Sequence, residues 1–375
     1  MLKSINIQNF RRLENIKIKK TGRLNLIIGK NNTGKTSLLE ALYIYANKGD
    51  LLSINQIVKQ RGEHSQTNEI DETFKLLSQF TAIYSGRKYD FKNSKPITIG
   101  EIKGKNIYEF NPVFYKTEIN ENIAFNKFNG KETINLNEIL EAFVNISKVK
   151  DIDKDVKIGF QIKYGNGEPE IKSVDAFGEI FNLFNPNTKI TIPCVFIPSS
   201  SLTDEIAFDL WEKISLTDNE QGIIEIIKII DENIERITFK SKQGKIPYIR
   251  IKNNNEPITA KSMGEGLSKL LNLSLAIYNC QNGILLIDEF ENGFHYSIQP
   301  QIWEFLFKIS EKLNIQIFAT THSKDCLYSF ISTIEKNPEI SANVIKLSEF
   351  KNNIEILEYE NDELFLVKDQ HSELR

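Results

Sequence analysis

The sequence predicts an α/β fold, a three-layer core around a largely parallel sheet with a mixed α+β lobe inserted into it. Three observations lead there. The apolar run Leu24-Asn25-Leu26-Ile27-Ile28 leads into Gly29-Lys30-Asn31-Asn32-Thr33-Gly34-Lys35-Thr36, which fits the spacing G-x-x-x-x-G-K-[ST]. Far downstream, a second apolar run, Ile284-Leu285-Leu286-Ile287, ends in Asp288-Glu289. From residue 192 onward strand-like and helix-like segments alternate, the pattern of parallel strands joined by crossover helices.

Taken in order, Leu2, Ile5 and Ile7 alternate with polar residues, as do Ile16 and Ile18, so two short strands precede the one that ends at Gly29. A helix with an apolar face follows the glycine-rich turn at 37–46. Between 51 and 191 the text changes character. Helix-like segments at 51–59, 72–84, 135–146 and 174–183 mix with strand-like ones at 97–102, 107–114, 156–164 and 170–174, broken by Asn, Gly and Lys. The core text resumes with a buried-strand run at 192–198 and helices at 203–214 and 218–231. Thr217 or Asp218 suits the cap of the second, and its isoleucines, Ile223 to Ile230, suit a helix surrounded by core. A hairpin or meander is expected at 234–252, then helix 267–279, strand 283–287, helix 297–313, strand 315–319, a helix from Ser323, and strands at 342–347 and 354–358. The expected division is a core of 1–50 and 192–375, split by a lobe of 51–191.

The glycine-rich turn has a chemical logic. Gly29 and Gly34 let the backbone curl so that successive N–H groups face phosphate oxygens, and the helix that follows adds its positive dipole end. Lys35 has the reach for the β- and γ-phosphates, and the Thr36 hydroxyl is the first candidate ligand for Mg²⁺. ATP with Mg²⁺ is the expected cofactor pair, contacted by Gly29, Asn31, Asn32, Thr33, Gly34, Lys35, Thr36 and Ser37. The acids at the end of the second apolar run sit where α/β folds bind ligands, beyond the carboxyl ends of the strands. Asp288 is the second candidate Mg²⁺ ligand, and Glu289 the candidate for polarising the attacking water.

A third element, Ser262-Met263-Gly264-Glu265-Gly266, precedes a helix. With the two motifs above, it makes the sequence resemble the ABC-type ATPase superfamily. The resemblance implies that Ser262, Gly264, Glu265 and Gly266 form the loop that caps the γ-phosphate bound to an opposite subunit. Glu265 replaces the second glycine of the transporter-type version. In Ile317-Phe318-Ala319-Thr320-Thr321-His322-Ser323, His322 resembles the switch histidine of the same superfamily, the third candidate catalytic residue beside Glu289 and Lys35. His295, in Glu291-Asn292-Gly293-Phe294-His295, falls where the superfamily has its dimer-contacting D-loop, and a structural turn is an equal alternative. Asn9-Phe10-Arg11-Arg12 resembles the opening of RecF-, SMC- and OLD-like ATPases, which implies a phosphate approach for Arg11 or Arg12 as against a solvated basic turn. Gln56, Gln60 and Gln79 all stand as candidates for the Q-loop glutamine.

Composition narrows the function. A net charge of −3 in 375 residues offers no global attraction to nucleic acid or to an anionic membrane. Cys194, Cys280 and Cys326 have no C-x-x-C pairing and lie in apolar text, so free, packed thiols of a cytoplasmic protein are expected. No apolar run approaches the ~20 residues of a membrane span.

As a whole the chain resembles an OLD-like ATPase of the ABC superfamily, tightly over 1–45 and 192–330 and loosely over the lobe. Fuller OLD proteins carry a C-terminal TOPRIM nuclease, a module of roughly a hundred residues. The 323–375 segment is too short to hold one beside the end of the core. The resemblance therefore implies a homodimer or higher oligomer joined by sandwiched ATP. It also implies a nucleotide-gated sensor or scaffold in anti-phage defence, with a separate effector such as a TOPRIM-like nuclease, as in PARIS-like systems. A RecF- or SMC-like repair ATPase that binds DNA directly is the alternative.

Overall fold

A computed structural model of the chain describes residues 1–63, 81–87, 95–104, 106–116, 156–173, 192–240, 244–254, 256–351, 353–360 and 363–364. Its contacts divide the chain into two units, one of Met1–Ile5, Ile16–Asn47 and Thr191–Arg375, the other of Asn6–Asn15 and Lys48–Ile190. Residues 6–15 thus belong to the second unit, where the sequence reading kept them in the core. The reason is pairing: Asn6–Gln8 zip onto Thr98–Gly100, and the Arg11 amide donates to the Ile83 carbonyl at 2.8 Å.

In chain order the strands begin β1 (Ile5–Phe10), β2 (Leu13–Ile18), β3 (Leu24–Gly29), β4 (Ile97–Gly100), β5 (Ile107–Lys116), β6 (Val156–Tyr164), β7 (Glu170–Ser173) and β8 (Cys194–Ile197). They continue with β9 (Ile234–Lys240), β10 (Ile246–Ile251), β11 (Ile258–Thr259), β12 (Ile284–Ile287), β13 (Gln316–Thr321), β14 (Ala342–Phe350) and β15 (Asn353–Tyr359). The sheet of the second unit has the order β2-β1-β4-β5-β6-β7, and β4, β5, β6 and β7 pair antiparallel in succession. The helix Leu51–Gln60 belongs to the same unit, while the helices expected at 135–146 and 174–183, and most of the one at 72–84, lie outside the described residues.

The first unit is built on the sheet β15-β14-β3-β13-β12-β8, with every pair parallel except the β14–β15 edge. All of β12 and β13 and nearly all of β3 are buried, as a parallel sheet covered on both faces requires. This is the α/β architecture that the sequence predicts. A cluster of rings and branched side chains fills one side. Phe290 stacks on Trp303 at 4.0 Å between centroids, and Trp303 meets Phe330 edge-on at 4.8 Å. The meander expected at 234–252 is the antiparallel sheet β11-β10-β9. The isoleucine-rich helix runs Asn219–Ile227, shorter than expected. Asp218 at its cap makes no side-chain bond, and the Thr217 hydroxyl accepts from the Asn219 amide at 3.3 Å instead. Ile229 and Ile230 lie past its end, partly buried.

Cys194, Cys280 and Cys326 are free, and burial pushes the thiols of Cys280 and Cys326 up to about 12. Among the described residues no helix is long and apolar enough to cross a membrane.

Candidate active site

The register of the parallel sheet aligns three strand ends. Ile287 pairs with Ala319, and Thr321 pairs with Ile28, so the segments after β3, β12 and β13 emerge together at one edge.

The turn after β3 carries its conformational demand at Gly29, with φ +152°. A Cβ there would lie 2.4 Å from the Leu347 carbonyl oxygen and 2.9 Å from Thr33 Oγ1, so no larger residue fits. Thr33 is buried and ties the turn by donating to the Lys30 carbonyl at 2.9 Å, while Asn31 and Asn32 are exposed. The helix Lys35–Ala46 starts behind Gly34, which has no side chain to cap it, so its first amides remain suited to an anion. Ser37 is buried in that first turn. Lys35 is only 9% exposed and donates to the carbonyls of Gly29 at 2.8 Å and Lys30 at 2.9 Å. Burial lowers its pKa, and the charges of Asp288, Glu289 and Glu291 partly oppose that. The ammonium is therefore kept on the loop, among acids.

Asp288 is 5% exposed. Its carboxylate accepts from Thr36 Oγ1 at 3.0 and 3.2 Å and from Thr320 Oγ1 at 2.7 Å. A threonine hydroxyl beside one buried carboxylate is a hard-oxygen pair of the kind that would hold Mg²⁺. The Thr320 hydroxyl has a second role, accepting the Glu289 amide at 2.8 Å. One buried hydroxyl thus fixes the backbone of Glu289 relative to Asp288.

Glu289 takes a left-handed conformation, φ +50°, uncommon for a residue with a Cβ. Its carboxylate accepts from Asn292 Nδ2 at 2.6 Å, and its carbonyl accepts from Lys269 Nζ at 3.0 Å. At the end of β13, the amide of His322 donates to Glu291 Oε1 at 2.9 Å and its Nδ1 lies 2.8 Å from the same oxygen. Lys35, Thr36, Asp288 and Glu289 are therefore brought together, and Glu291 joins His322 to the same turn.

Thr320, Glu291, Asn292 and Lys269 escaped the sequence reading. Lys269 had left a trace: in the helix Glu265–Asn279 it shares a stripe with Asn272, Leu273 and Ala276, all buried. A charged residue on a buried stripe is a signal of this kind.

The other expected residues are placed elsewhere. Ser262, Gly264 and Glu265 are exposed and Gly266 is half-buried, at the start of that helix. The Ser262 hydroxyl bonds Thr259 Oγ1 at 2.7 Å. His295 is exposed, with Nδ1 on the Ser297 hydroxyl at 2.8 Å, a turn contact. Arg11 lies in the second unit with its guanidinium on both oxygens of Glu63, at 2.9 and 3.0 Å, and Arg12 is exposed. Gln56 and Gln60 are exposed on the helix Leu51–Gln60, and Gln79 lies outside the described residues.

The chain is 24% identical over 387 residues to an ATP/GTP phosphatase of Helicobacter pylori, covering 98% of this chain and 94% of the relative. It is 33% identical over 98 residues to an uncharacterized protein of Methanocaldococcus jannaschii, covering 25% of this chain and 45% of that one. Among solved structures it is similar to an SmcHead bound to the C-winged helix domain of ScpA, with a TM-score of 0.46, 11% identity and 99% of each chain covered. The model of the AAA ATPase domain family matches residues 1–327. The chain belongs to the AAA ATPase domain family and is an ATP-hydrolysing enzyme.

Proposed function

We propose that this ATPase is a nucleotide-gated assembly, in which two subunits close on ATP and hydrolysis follows closure. The observation that carries the reading is a contrast within one unit. Lys35, Thr36, Asp288 and Glu289 are gathered at the sheet edge, whereas Ser262, Gly264 and Glu265 stand exposed at a helix start. A helix start with a serine hydroxyl is suited to a phosphate, and a second subunit is the source of that phosphate.

Within each subunit the roles follow from the geometry. Lys35 exchanges the carbonyls of Gly29 and Lys30 for the β- and γ-phosphate oxygens. Thr36 and Asp288 would hold Mg²⁺, which when bound neutralises phosphate charge. Glu289 orients the attacking water and takes its proton. His322, held through Nδ1 by Glu291, presents its other ring nitrogen as a sensor of the γ-phosphate. GTP is a second substrate to assay, because the Helicobacter pylori relative carries the name ATP/GTP phosphatase.

The cellular role we assign, on the sequence resemblance to OLD-like ATPases, is a cytoplasmic sensor or scaffold in anti-phage defence that controls a separate effector protein. Light scattering on Glu289→Gln, with and without ATP and Mg²⁺, tests the gating. An ATP-dependent rise in mass without DNA supports it. An unchanged monomer mass overturns it, and ATP-dependent retention of duplex DNA replaces the scaffold with a DNA-clamping ATPase.

A further inference from the structure

Lys269 is 4% exposed, on a helix whose neighbouring residues Leu267, Leu270 and Leu271 are core. A leucine or methionine would pack there without the cost of desolvating an ammonium. The site is instead built for the cation. Its Nζ donates to the Glu289 carbonyl at 3.0 Å and lies 5.5 Å from the centroid of the Phe294 ring. Burial pulls its pKa down to about 8, against the favourable charges of Glu291, Glu265, Glu289 and Asp288. The contact surface is continuous. A Cβ on Gly293 would come within 3.3 Å of Lys269 Cδ, and one on Gly266 within 2.9 Å of the Gly293 carbonyl oxygen.

We propose that Lys269 is a positioning residue for hydrolysis, holding Glu289 in its left-handed conformation by hydrogen-bonding its carbonyl from the helix that begins at Glu265. The inference rests on Glu289 being the group that activates water. Three attachments then fix that residue: Thr320 takes its amide, Lys269 its carbonyl and Asn292 its carboxylate. Of these only Lys269 comes from the helix that carries Gly266. It therefore ties the Ser262–Gly266 loop to the turn that bears the base, within one subunit.

The test is steady-state kinetics on Lys269→Met and Lys269→Gln, assayed below their melting temperatures beside Glu289→Gln. A misplaced base slows the chemical step without weakening nucleotide binding, so kcat should fall roughly 10- to 100-fold while KM for ATP stays within about twofold. If the Met variant does not fold, the Gln variant gives the same readout. Wild-type kcat in the Lys269 variants, or a raised KM at unchanged kcat, overturns the proposal. An inactive Glu289→Gln beside a fully active Lys269→Met overturns this inference alone. A fully active Glu289→Gln removes the base assignment and the inference with it.

Discussion

Glu291 meets His322 twice through one oxygen: Oε1 accepts the backbone amide at 2.9 Å and faces Nδ1 at 2.8 Å. A carboxylate there favours the tautomer with the proton on Nδ1, leaving Nε2 as the acceptor in the neutral ring. Orientation and tautomer of the histidine are thus set from the turn that follows Asp288.

If that contact is what makes His322 effective, Glu291→Ala and His322→Ala should each lower kcat by roughly tenfold or more. The double variant should be no slower than the worse single one, because the two side chains act as a unit. Rates that multiply in the double variant would separate them.

If Lys35 turns to the phosphates as proposed, Lys35→Ala should lower ATP affinity by about 10- to 100-fold. Glu289→Gln should keep wild-type affinity and lose on the order of 10²–10⁴ in turnover. Titration with a fluorescent ATP analogue, paired with phosphate release, distinguishes the two. Wild-type turnover in Glu289→Gln would withdraw its assignment.

Thr320→Val keeps the shape of a fully buried side chain and deletes the hydroxyl between Asp288 and the Glu289 amide. A partly buried amide is left without its partner and a buried carboxylate loses a donor. We expect a stability loss of about 1–3 kcal/mol by urea unfolding, together with lower kcat. Unchanged stability and rate would mean that water replaces the hydroxyl.

Lys269 makes stability depend on alkaline pH. Its pKa lies at about 8 in the fold, below the ordinary 10.5, so between those values the unfolded chain binds more protons. Stability contributed by this group therefore rises with pH across that window. Wild type should gain roughly 2 kcal/mol relative to Lys269→Met between about pH 7.5 and 9.5. Parallel pH profiles of the two proteins in urea unfolding would show that the ammonium is not desolvated.

Local rules were enough for the outline. The spacing of Gly29, Gly34, Lys35 and Thr36 and the apolar run before Asp288 announce their own geometry, because backbone freedom, hydrophobic period and strand length are short-range properties. The alternation of strands and helices after 192 carries the sheet class for the same reason. What the text could not announce is pairing at a distance. Residues 6–15 look like core text, yet they belong to the second unit because Asn6–Gln8 find Thr98–Gly100. Thr320 is unremarkable in a buried strand until β12 and β13 lie side by side and its hydroxyl meets Asp288. Lys269 reads as one more charge on a helix until the Glu289 carbonyl is found at its ammonium. The sequence by itself determined where the glycine-rich turn and the acidic pair fall, since those are patterns of neighbouring residues. Only the tertiary structure decided which residues hold them in place, since a hydrogen bond across 20 or 31 residues exists only after the chain has folded.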